Sequence, residues 1–152
     1  MSTSQTFECL IIGGGPGGLS TALGLSRILH TAALFDSGVY RNRFSNHMHT
    51  VSTWDHKDPA EYRAAARREL IEGRYSSVQI KDITIVKVEK LEDGGFKATD
   101  AAGEEWTGKK LVLATGSKDE HPDIPGYKEC WATGMYVPKE RKPSQYKTNQ
   151  TS

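Results

Sequence analysis

Apolar residues near the amino terminus form a short run, residues 9–12, that leads directly into a cluster of glycines. Apolar side chains then recur at helical spacing, so the pattern predicts a strand, a tight turn and a helix over about residues 17–29. A second short apolar run, residues 32–35, ends in Asp36 and predicts another strand. Strand, helix and strand in this order are typical of a parallel sheet.

The pattern loses its period over residues 37–56, which we interpret as a long loop that packs, because it contains aromatic and aliphatic side chains among its polar residues. Asp58, Pro59 and Glu61 then have the spacing of a helix start, and Gly73 is predicted to end that helix. One face of the helix is apolar, and the other holds Arg63, Arg67 and Arg68. The arginines are predicted to lie on a solvated face of mixed charge, with a phosphate grip as the alternative.

After this helix the polar and apolar residues alternate with the period of strands. Residues 78–80, 83–91, 96–99 and 105–107 are predicted strands, with turns at Asp93-Gly94-Gly95 and at Ala102-Gly103. Residues 110–116 form a nearly continuous apolar run, which predicts a strand buried on both faces. The expected fold is therefore α/β, a Rossmann-like half-domain whose parallel sheet carries an inserted antiparallel β-meander. It is expected over residues 6–136, and residues 137–152 are expected to be a disordered tail.

Composition narrows the choice of function. The chain has 152 residues, the size of one domain, and its 20 basic and 19 acidic residues leave a net charge of only +1. A chain with nearly equal numbers of basic and acidic residues is not expected to bind nucleic acid or an acidic membrane surface, because it lacks an excess of positive charge. No apolar run has the length of a membrane span. We expect a soluble cytoplasmic protein. Cys9 and Cys130 are predicted to be buried, reduced thiols, and no metal site is predicted, since His121 has no ligand partner at a suitable spacing.

The glycine cluster has a spacing with a physical meaning. Gly13, Gly15 and Gly18 occupy the positions of the G-x-G-x-x-G motif. The first permits a sharp turn, the second leaves room for a pyrophosphate against the backbone, and the third allows the helix to pack close to the strand. Asp36 follows 18 residues after Gly18, where an acidic side chain would hold a ribose. The alternative is an ordinary glycine turn with an unrelated surface aspartate.

Several further segments support a resemblance. Residues 111–116 read L-V-L-A-T-G and are followed by P-D-I-P-G at 122–126, while residues 35–42 read F-D-S-G-V-Y-R-N and residues 48–59 read M-H-T-V-S-T-W-D-H-K-D-P. In this order the segments resemble the flavin half of the disulfide reductases that have two dinucleotide domains. They resemble most the fungal thioredoxin-reductase-like branch, the dithiol oxidases of the gliotoxin and holomycin type, without the NADPH domain.

The resemblance implies FAD as the cofactor and a role for each matching position. The loop would hold the pyrophosphate, Asp36 the adenosine ribose, and the remaining residues would border the phosphates, the ribityl chain and the flavin. The implied cofactor-binding residues are Gly13, Gly14, Gly15, Pro16, Gly17, Gly18, Asp36, Ser37, Arg41, Asn42, His49, Ala114, Thr115 and Gly116. For His49 a structural role in a packed loop remains an equal alternative, and His47 and His56 are expected to be structural.

The resemblance also shows what these residues lack. Relatives of this kind continue into a C-x-x-C pair and a second glycine-rich domain, and the present sequence contains neither. We therefore assign no catalytic residue and expect a truncated oxidoreductase chain. The resemblance implies that its full-length relatives act on a small dithiol or disulfide and are commonly homodimers. Two alternatives stay open. One is a non-catalytic dinucleotide-binding fragment, and the other is a simple NAD(P)-dependent dehydrogenase.

Overall fold

The computed structural model describes residues 6–73, 75–92 and 94–131. The chain divides into two compact units, residues 1–118 and 119–152. In the first unit the elements are β1 (Thr6–Ile12), α1 (Pro16–Arg27), β2 (Ala32–Phe35), a 3-10 turn (Arg41–Phe44), α2 (Pro59–Ile71), β3 (Val78–Lys81), β4 (Ile85–Lys90), β5 (Phe96–Asp100) and β6 (Glu105–Leu113). In the second unit the structure describes one short helix, α3 (Tyr127–Cys130).

The strands of the first unit form one six-stranded sheet in the order β3-β2-β1-β6-β5-β4. The first four strands are mutually parallel, and β5 and β4 are antiparallel to their neighbours. The predicted α/β class, with a meander inserted into a parallel sheet, is confirmed. Ile12 is paired with Phe35 of β2 and with Leu113 of β6, so the carboxyl ends of the three strands are level. The residues that follow these strands therefore meet at one edge of the sheet.

Both faces of the central strands are covered. Cys9 and Ile11 face the two helices and pack in one buried cluster with Leu19 of α1 and Leu70 of α2. On the other face a second cluster includes Leu10, Ile12, Phe35 and Ala98, and the ring of Phe35 meets that of Trp106 edge-on at 5.2 Å between centroids. Each aliphatic or aromatic side chain buried in this way contributes about 1.5–3 kcal/mol. The central strands are therefore held by packing on both faces, and this packing fixes the position of the residues that follow their carboxyl ends.

Helix α1 ends earlier than the predicted residue 29. The N–H of His30 donates to the Leu25 carbonyl at 3.1 Å and that of Leu29 to the Ser26 carbonyl at 3.1 Å, the two bonds of a Schellman C-cap. Leu29 takes the left-handed conformation, with φ of 61°, that usually falls to glycine at this position. The helical spacing of the leucines thus continued past the last helical residue, and Leu29 is 76% exposed.

Helix α2 begins as predicted. The Asp58 carboxylate accepts the N–H of Ala60 at 2.6 Å, and Pro59 is the first helical residue. The helix ends at Ile71, two residues before Gly73.

The last strand differs from its prediction in two respects. Residues 105–107 and 110–116 were expected to be separate strands, but β6 is continuous, because residues 105–108 pair with β5 and residues 107–113 pair with β1, so the two pairings overlap. Its carboxyl half was expected to be buried on both faces, and this is wrong, since Leu113 is 66% exposed. An apolar run alone does not reveal whether a neighbour covers each face.

Parts of the earlier predictions lie outside the described residues. These are Asp93 of the first predicted turn, residues 132–136 at the end of the predicted domain, and the predicted tail at 137–152. The Leu91 N–H donates to the Gly95 carbonyl at 2.8 Å, as expected of a hairpin connection between β4 and β5. None of the helices that the structure describes is both apolar and long enough to cross a lipid bilayer.

Candidate functional site

The glycine loop between β1 and α1 is a tight turn in which two glycines are sterically required. A Cβ atom on Gly13 would lie 2.2 Å from the Ala114 carbonyl oxygen, and φ of Gly13 is 117°. A Cβ atom on Gly18 would lie 1.8 Å from the Gly13 carbonyl oxygen. A side chain at position 13 would push the loop away from the end of β6, and one at position 18 would push α1 away from the end of β1. The loop conformation is therefore set by the close packing of its own backbone.

Gly15 and Gly17 differ from these two residues. A Cβ atom on either would meet no heavy atom within 4 Å, so open space lies beside them. Gly15 is the N-cap of α1, and it is followed by Pro16 as the first helical residue. The cap has no side-chain hydrogen bond and the first turn has no acidic residue. The N–H groups of this turn and the positive end of the helix dipole are thus available to an anion.

The end of β6 closes one side of the loop. The Ala114 N–H donates to the Ile12 carbonyl at 2.8 Å, and the Ala114 carbonyl lies against Gly13. Thr115 is exposed next to it, and its backbone nitrogen would be 3.2 Å from a Cβ on Gly13. Gly116 has φ of 68°, a conformation that favours glycine, and it is also exposed. The small residues predicted at positions 114–116 are therefore brought to the glycine loop.

Asp36 lies directly against the loop, but it is buried. A Cβ on Gly14 would overlap the Asp36 carboxyl group at 2.1 Å, and only 2% of the Asp36 side chain is exposed. Its Oδ2 atom accepts hydrogen bonds from the Tyr40 hydroxyl at 2.6 Å and from Arg67 Nη1 at 2.9 Å. Its Oδ1 atom accepts the Gly38 N–H at 2.9 Å. The carboxylate thus packs against the glycine loop, and its position is fixed by hydrogen bonds from Tyr40, Arg67 and Gly38.

Two arginines of α2 connect this carboxylate to the long loop. Arg67 also donates to Asp82 at 2.6 Å, and Arg63 donates to the Asn42 side chain at 3.1 Å while its guanidinium lies 3.8 Å over the ring of Tyr40. The prediction of a solvated arginine face is therefore wrong for Arg63 and Arg67, although it holds for exposed Arg68. The prediction considered only the acidic residues close in sequence on α2, and these gave no sign that the fold places the buried Asp36 carboxylate against Arg67.

The contact with Asp36 also changes the pKa of the Tyr40 hydroxyl. Burial, and next the hydrogen bond to Asp36, raise the pKa of Tyr40 to about 12 from 10.0. A phenolate beside a buried carboxylate would place two negative charges together, so the neutral hydroxyl is favoured. Tyr40 therefore remains a hydrogen-bond donor to Asp36 over the whole physiological range.

The other predicted residues lie on the long loop. Ser37 is exposed, and its hydroxyl accepts the Val39 N–H at 3.4 Å. Arg41 opens the 3-10 turn and is exposed. His49 lies farther along, where its contacts are with Asp55, at 3.6 Å, and with the ring of His56, at 4.6 Å between centroids. Within the first unit, contacts join Asp36 and residues 114–115 to the glycine loop, whereas the contacts of His49 are to its own segment.

The two cysteines have different surroundings. Cys9 is 5% exposed in the centre of β1, and burial raises the pKa of its thiol. Cys130 is exposed at the end of α3, so the expectation that both thiols are buried is wrong for it. The prediction was based on the general tendency of free cysteine to be buried, which does not determine how the chain packs around a particular position. Neither cysteine has a disulfide partner within the part of the chain that the structure describes.

Comparison with known proteins identifies this arrangement. The profile of the pyridine nucleotide-disulphide oxidoreductase family matches residues 7–151. The chain belongs to this family. Its members are oxidoreductases, so the family drawn from the sequence motifs is confirmed, and so is the enzyme class at this level.

The relatives agree with this assignment. Thioredoxin reductase aclD of Aspergillus oryzae is 57% identical over 130 residues, and thioredoxin reductase sirT of Leptosphaeria maculans is 45% identical over 131 residues. These alignments cover 86% of this chain but only 41% and 39% of the relatives, so the chain spans about two fifths of their length. Among solved structures, an oxidoreductase from Agrobacterium tumefaciens superposes with a TM-score of 0.78 at 38% identity, covering 85% of this chain and 43% of its own. HlmI superposes with a TM-score of 0.76 at 32% identity, with coverages of 84% and 40%.

Some residues of the site could not be found from the sequence. Arg67 and Tyr40 hold Asp36, and Arg63 holds Asn42, yet none of the three was predicted to take part. The available signal was the spacing of four residues between Arg63 and Arg67, which places both on one side of a helix. The cluster of His49, Asp55 and His56 was also missed, because only the path of the loop brings its members together.

Proposed function

We propose that these residues form the FAD-binding part of a thioredoxin-reductase-like flavoenzyme that acts on a small dithiol or disulfide. The observation that carries the proposal is the geometry of the glycine loop. Backbone atoms fill the space beside Gly13 and Gly18, whereas open space lies beside Gly15, at a helix start that has no side-chain cap hydrogen bond. An extended diphosphate fits such an opening, because it can approach the bare backbone and accept its N–H groups. Family membership and the names of the relatives support FAD and thiol chemistry.

Specific residues would hold each part of the cofactor. The N–H groups of Gly15, Gly17 and Gly18 would contact the pyrophosphate, and residues 114–116 would pass along its other side. Ser37, Arg41, Asn42 and His49 remain predicted neighbours of the phosphates, ribityl chain and flavin.

Asp36 would border the ribose. Its side chain is only 2% exposed, so we expect its main task to be holding Gly14 and the neighbouring loop in place. A ribose hydroxyl would use the remaining acceptor capacity of Oδ1, which accepts the Gly38 N–H.

The electron chemistry would come from the flavin when bound, since the isoalloxazine exchanges electrons with thiols and disulfides. The protein's own residues bind and orient it. Thiol exchange needs an attacking thiolate and a second sulfur within reach, but Cys9 is buried and the sequence has no C-x-x-C. We therefore place the redox-active cysteines outside these 152 residues. This separation also favours the second candidate, a dinucleotide-binding fragment without turnover of its own.

The proposal is tested by adding FAD to the purified 152-residue chain and removing the excess by gel filtration. We expect about one equivalent of bound flavin, seen in the visible absorption spectrum, and no oxidation of a small dithiol. Titrations with NADH and NADPH serve as controls. A colourless protein that binds NADH would support the simple dehydrogenase and refute the flavin proposal. Dithiol oxidation by the chain itself would refute the placement of the cysteines.

Two glycine variants separate binding from folding. Gly15→Ala should lower the melting temperature only slightly, since a Cβ there meets nothing within 4 Å and alanine is a somewhat poorer N-cap than glycine. Its methyl group would nevertheless occupy the space of the pyrophosphate. Loss of about 2 kcal/mol of charge-assisted hydrogen bonding raises the dissociation constant about thirtyfold. Gly24→Ala in α1 is the matched control, because its Cβ also meets nothing within 4 Å. We expect it to keep FAD affinity and to add about 0.5–1 kcal/mol of stability.

A further inference from the structure

The segment from residue 47 to residue 57, which we name the histidine loop, brings together titratable side chains that the flavin proposal does not use. Its two arms run side by side, because the Met48 N–H donates to the Lys57 carbonyl at 2.8 Å and the His56 N–H donates to the Met48 carbonyl at 2.9 Å. These bonds place His49 on one arm against Asp55 and His56 on the other. The sequence separations of six and seven residues hide this closeness.

The three side chains have the spacing of a metal site. One ligand atom from each of His49, Asp55 and His56 lies within 4.8 Å of the other two. His49 Nδ1 and Asp55 Oδ1 are already 3.6 Å apart. Ligand atoms around a tetrahedral Zn²⁺ at about 2.1 Å are separated from one another by about 3.4 Å. The separations between ligand atoms therefore need to shorten by at most about 1.4 Å for the cluster to surround an ion.

The loop holds the cluster in place through contacts outside it. Met48 is buried, with 8% of its surface exposed, and it anchors one arm. Trp54 packs edge-on against Tyr62 of α2 at 5.6 Å between centroids and anchors the other arm. Thr50 donates its N–H to Asp55 Oδ1 at 3.1 Å, which orients that carboxylate. The ligand groups are thus supported before any ion arrives, which lowers the ordering cost of binding.

We propose that His49, Asp55 and His56 form a surface site for a divalent transition-metal ion of the Zn²⁺ class. Two imidazole nitrogens and one carboxylate oxygen match the ligand preferences of Zn²⁺, and exposure of the cluster leaves the remaining coordination positions to water. Mg²⁺ and Ca²⁺ prefer oxygen ligands and should bind poorly. His47, whose ring lies 6.0 Å from that of His56, stands beside the site.

The site shares His49 with the predicted flavin surroundings, whereas Asp55 and His56 belong to the loop alone. The test therefore changes only the latter two. His56 has φ of 60°, a conformation that asparagine tolerates, so His56→Asn removes the imidazole and keeps the backbone. Asp55→Asn keeps an amide oxygen for the Thr50 N–H and removes the negative charge.

The assay is calorimetric titration of the 152-residue chain with Zn²⁺, followed in parallel by the fluorescence of Trp54 and the other tryptophans. We expect one equivalent to bind and either variant to raise the dissociation constant at least about tenfold with an unchanged melting temperature. His30→Ala is the matched control. His30 is 47% exposed, close to the 46% of His49, but it lies outside the loop and pairs with Glu8. It should leave Zn²⁺ binding unchanged.

Three results would overturn the site. The first is no binding up to about 1 mM Zn²⁺, since a dissociation constant above that value describes a very weak interaction. The second is equal Zn²⁺ affinity in His56→Asn and the original chain, and the third is an equal loss of Zn²⁺ affinity in His30→Ala. Mg²⁺ binding as strong as that of Zn²⁺ would contradict the assigned metal class. None of these outcomes depends on flavin binding, so the metal site and the proposed function fail separately.

Discussion

Arg67 contacts two carboxylates that differ in burial, and this allows a quantitative prediction. Asp36 has a side chain that is 2% exposed, that of Asp82 is 73% exposed, and Arg67 itself is 22% exposed. Arg67→Met removes the charge while it retains an apolar stem. The change leaves the Asp36 charge buried without its ionic partner, and removal of one partner of a buried pair costs about 3–5 kcal/mol. Asp36 keeps the hydrogen bonds from Tyr40 and Gly38, so we expect a smaller loss, about 2–3 kcal/mol.

The control is the other carboxylate of the same arginine. Asp82→Asn breaks an ion pair of 2.6 Å, even shorter than the 2.9 Å pair with Asp36, but it does so at the surface. Exposed pairs contribute about 0–1 kcal/mol, so we expect at most that loss. Burial rather than distance should therefore decide the ranking of the two contacts.

The assay is urea unfolding at neutral pH followed by circular dichroism, with thermal melting as a second measurement. A loss of 2–3 kcal/mol corresponds to a decrease of about 4–12 °C in melting temperature for a chain of this size. In an Asp36→Asn background the Arg67→Met change should cost less than about 1 kcal/mol, since no buried charge is then left unpaired. Equal losses for Arg67→Met and Asp82→Asn, or full additivity with Asp36→Asn, would refute the reasoning.

Three further predictions concern other parts of the chain. Exposed Cys130 should react with a thiol reagent at once, whereas buried Cys9, whose pKa is raised by burial, should react at least about a hundredfold more slowly until urea is added; equal rates would contradict the core position of β1. The phenol of Tyr40, with its pKa raised to about 12, is protonated in both states below the ordinary value of 10.0, so its stabilising effect is complete there and declines as the pH rises towards 12. The stability difference from Tyr40→Phe should narrow between about pH 10 and 12, and a constant difference would show that the hydroxyl does not carry the shift. Asp58→Ala should lower the free energy of unfolding in urea by about 1 kcal/mol, because α2 loses its N-cap hydrogen bond, and Asp58→Ser should retain most of that stability. An unchanged free energy of unfolding in Asp58→Ala would show that the cap hydrogen bond does not stabilise the fold.

Local signals in the sequence determined much of the fold. The glycine spacing, the first two apolar runs and the Asp58-Pro59 helix start each act over a few residues, and each predicted its element. The apolar run at 110–116 did not reveal the full extent or the exposure of β6. Asp36 was correctly placed after the second strand, because parallel strands with level carboxyl ends bring their following residues to one edge. Motifs of this kind are short-range, so they can be detected without knowledge of the remaining chain.

Only the tertiary structure decided which partners these residues meet. The arginines of α2 looked solvated in sequence, but the fold places Asp36 against Arg67, which lies 31 positions away. The histidine loop closes through backbone bonds that no periodicity reports, and it thereby creates the cluster of His49, Asp55 and His56. The physical reason is the same in both cases. A side chain's charge and hydrogen bonds depend on neighbours distant in sequence, and those neighbours are selected by the packing of the whole sheet and its helices.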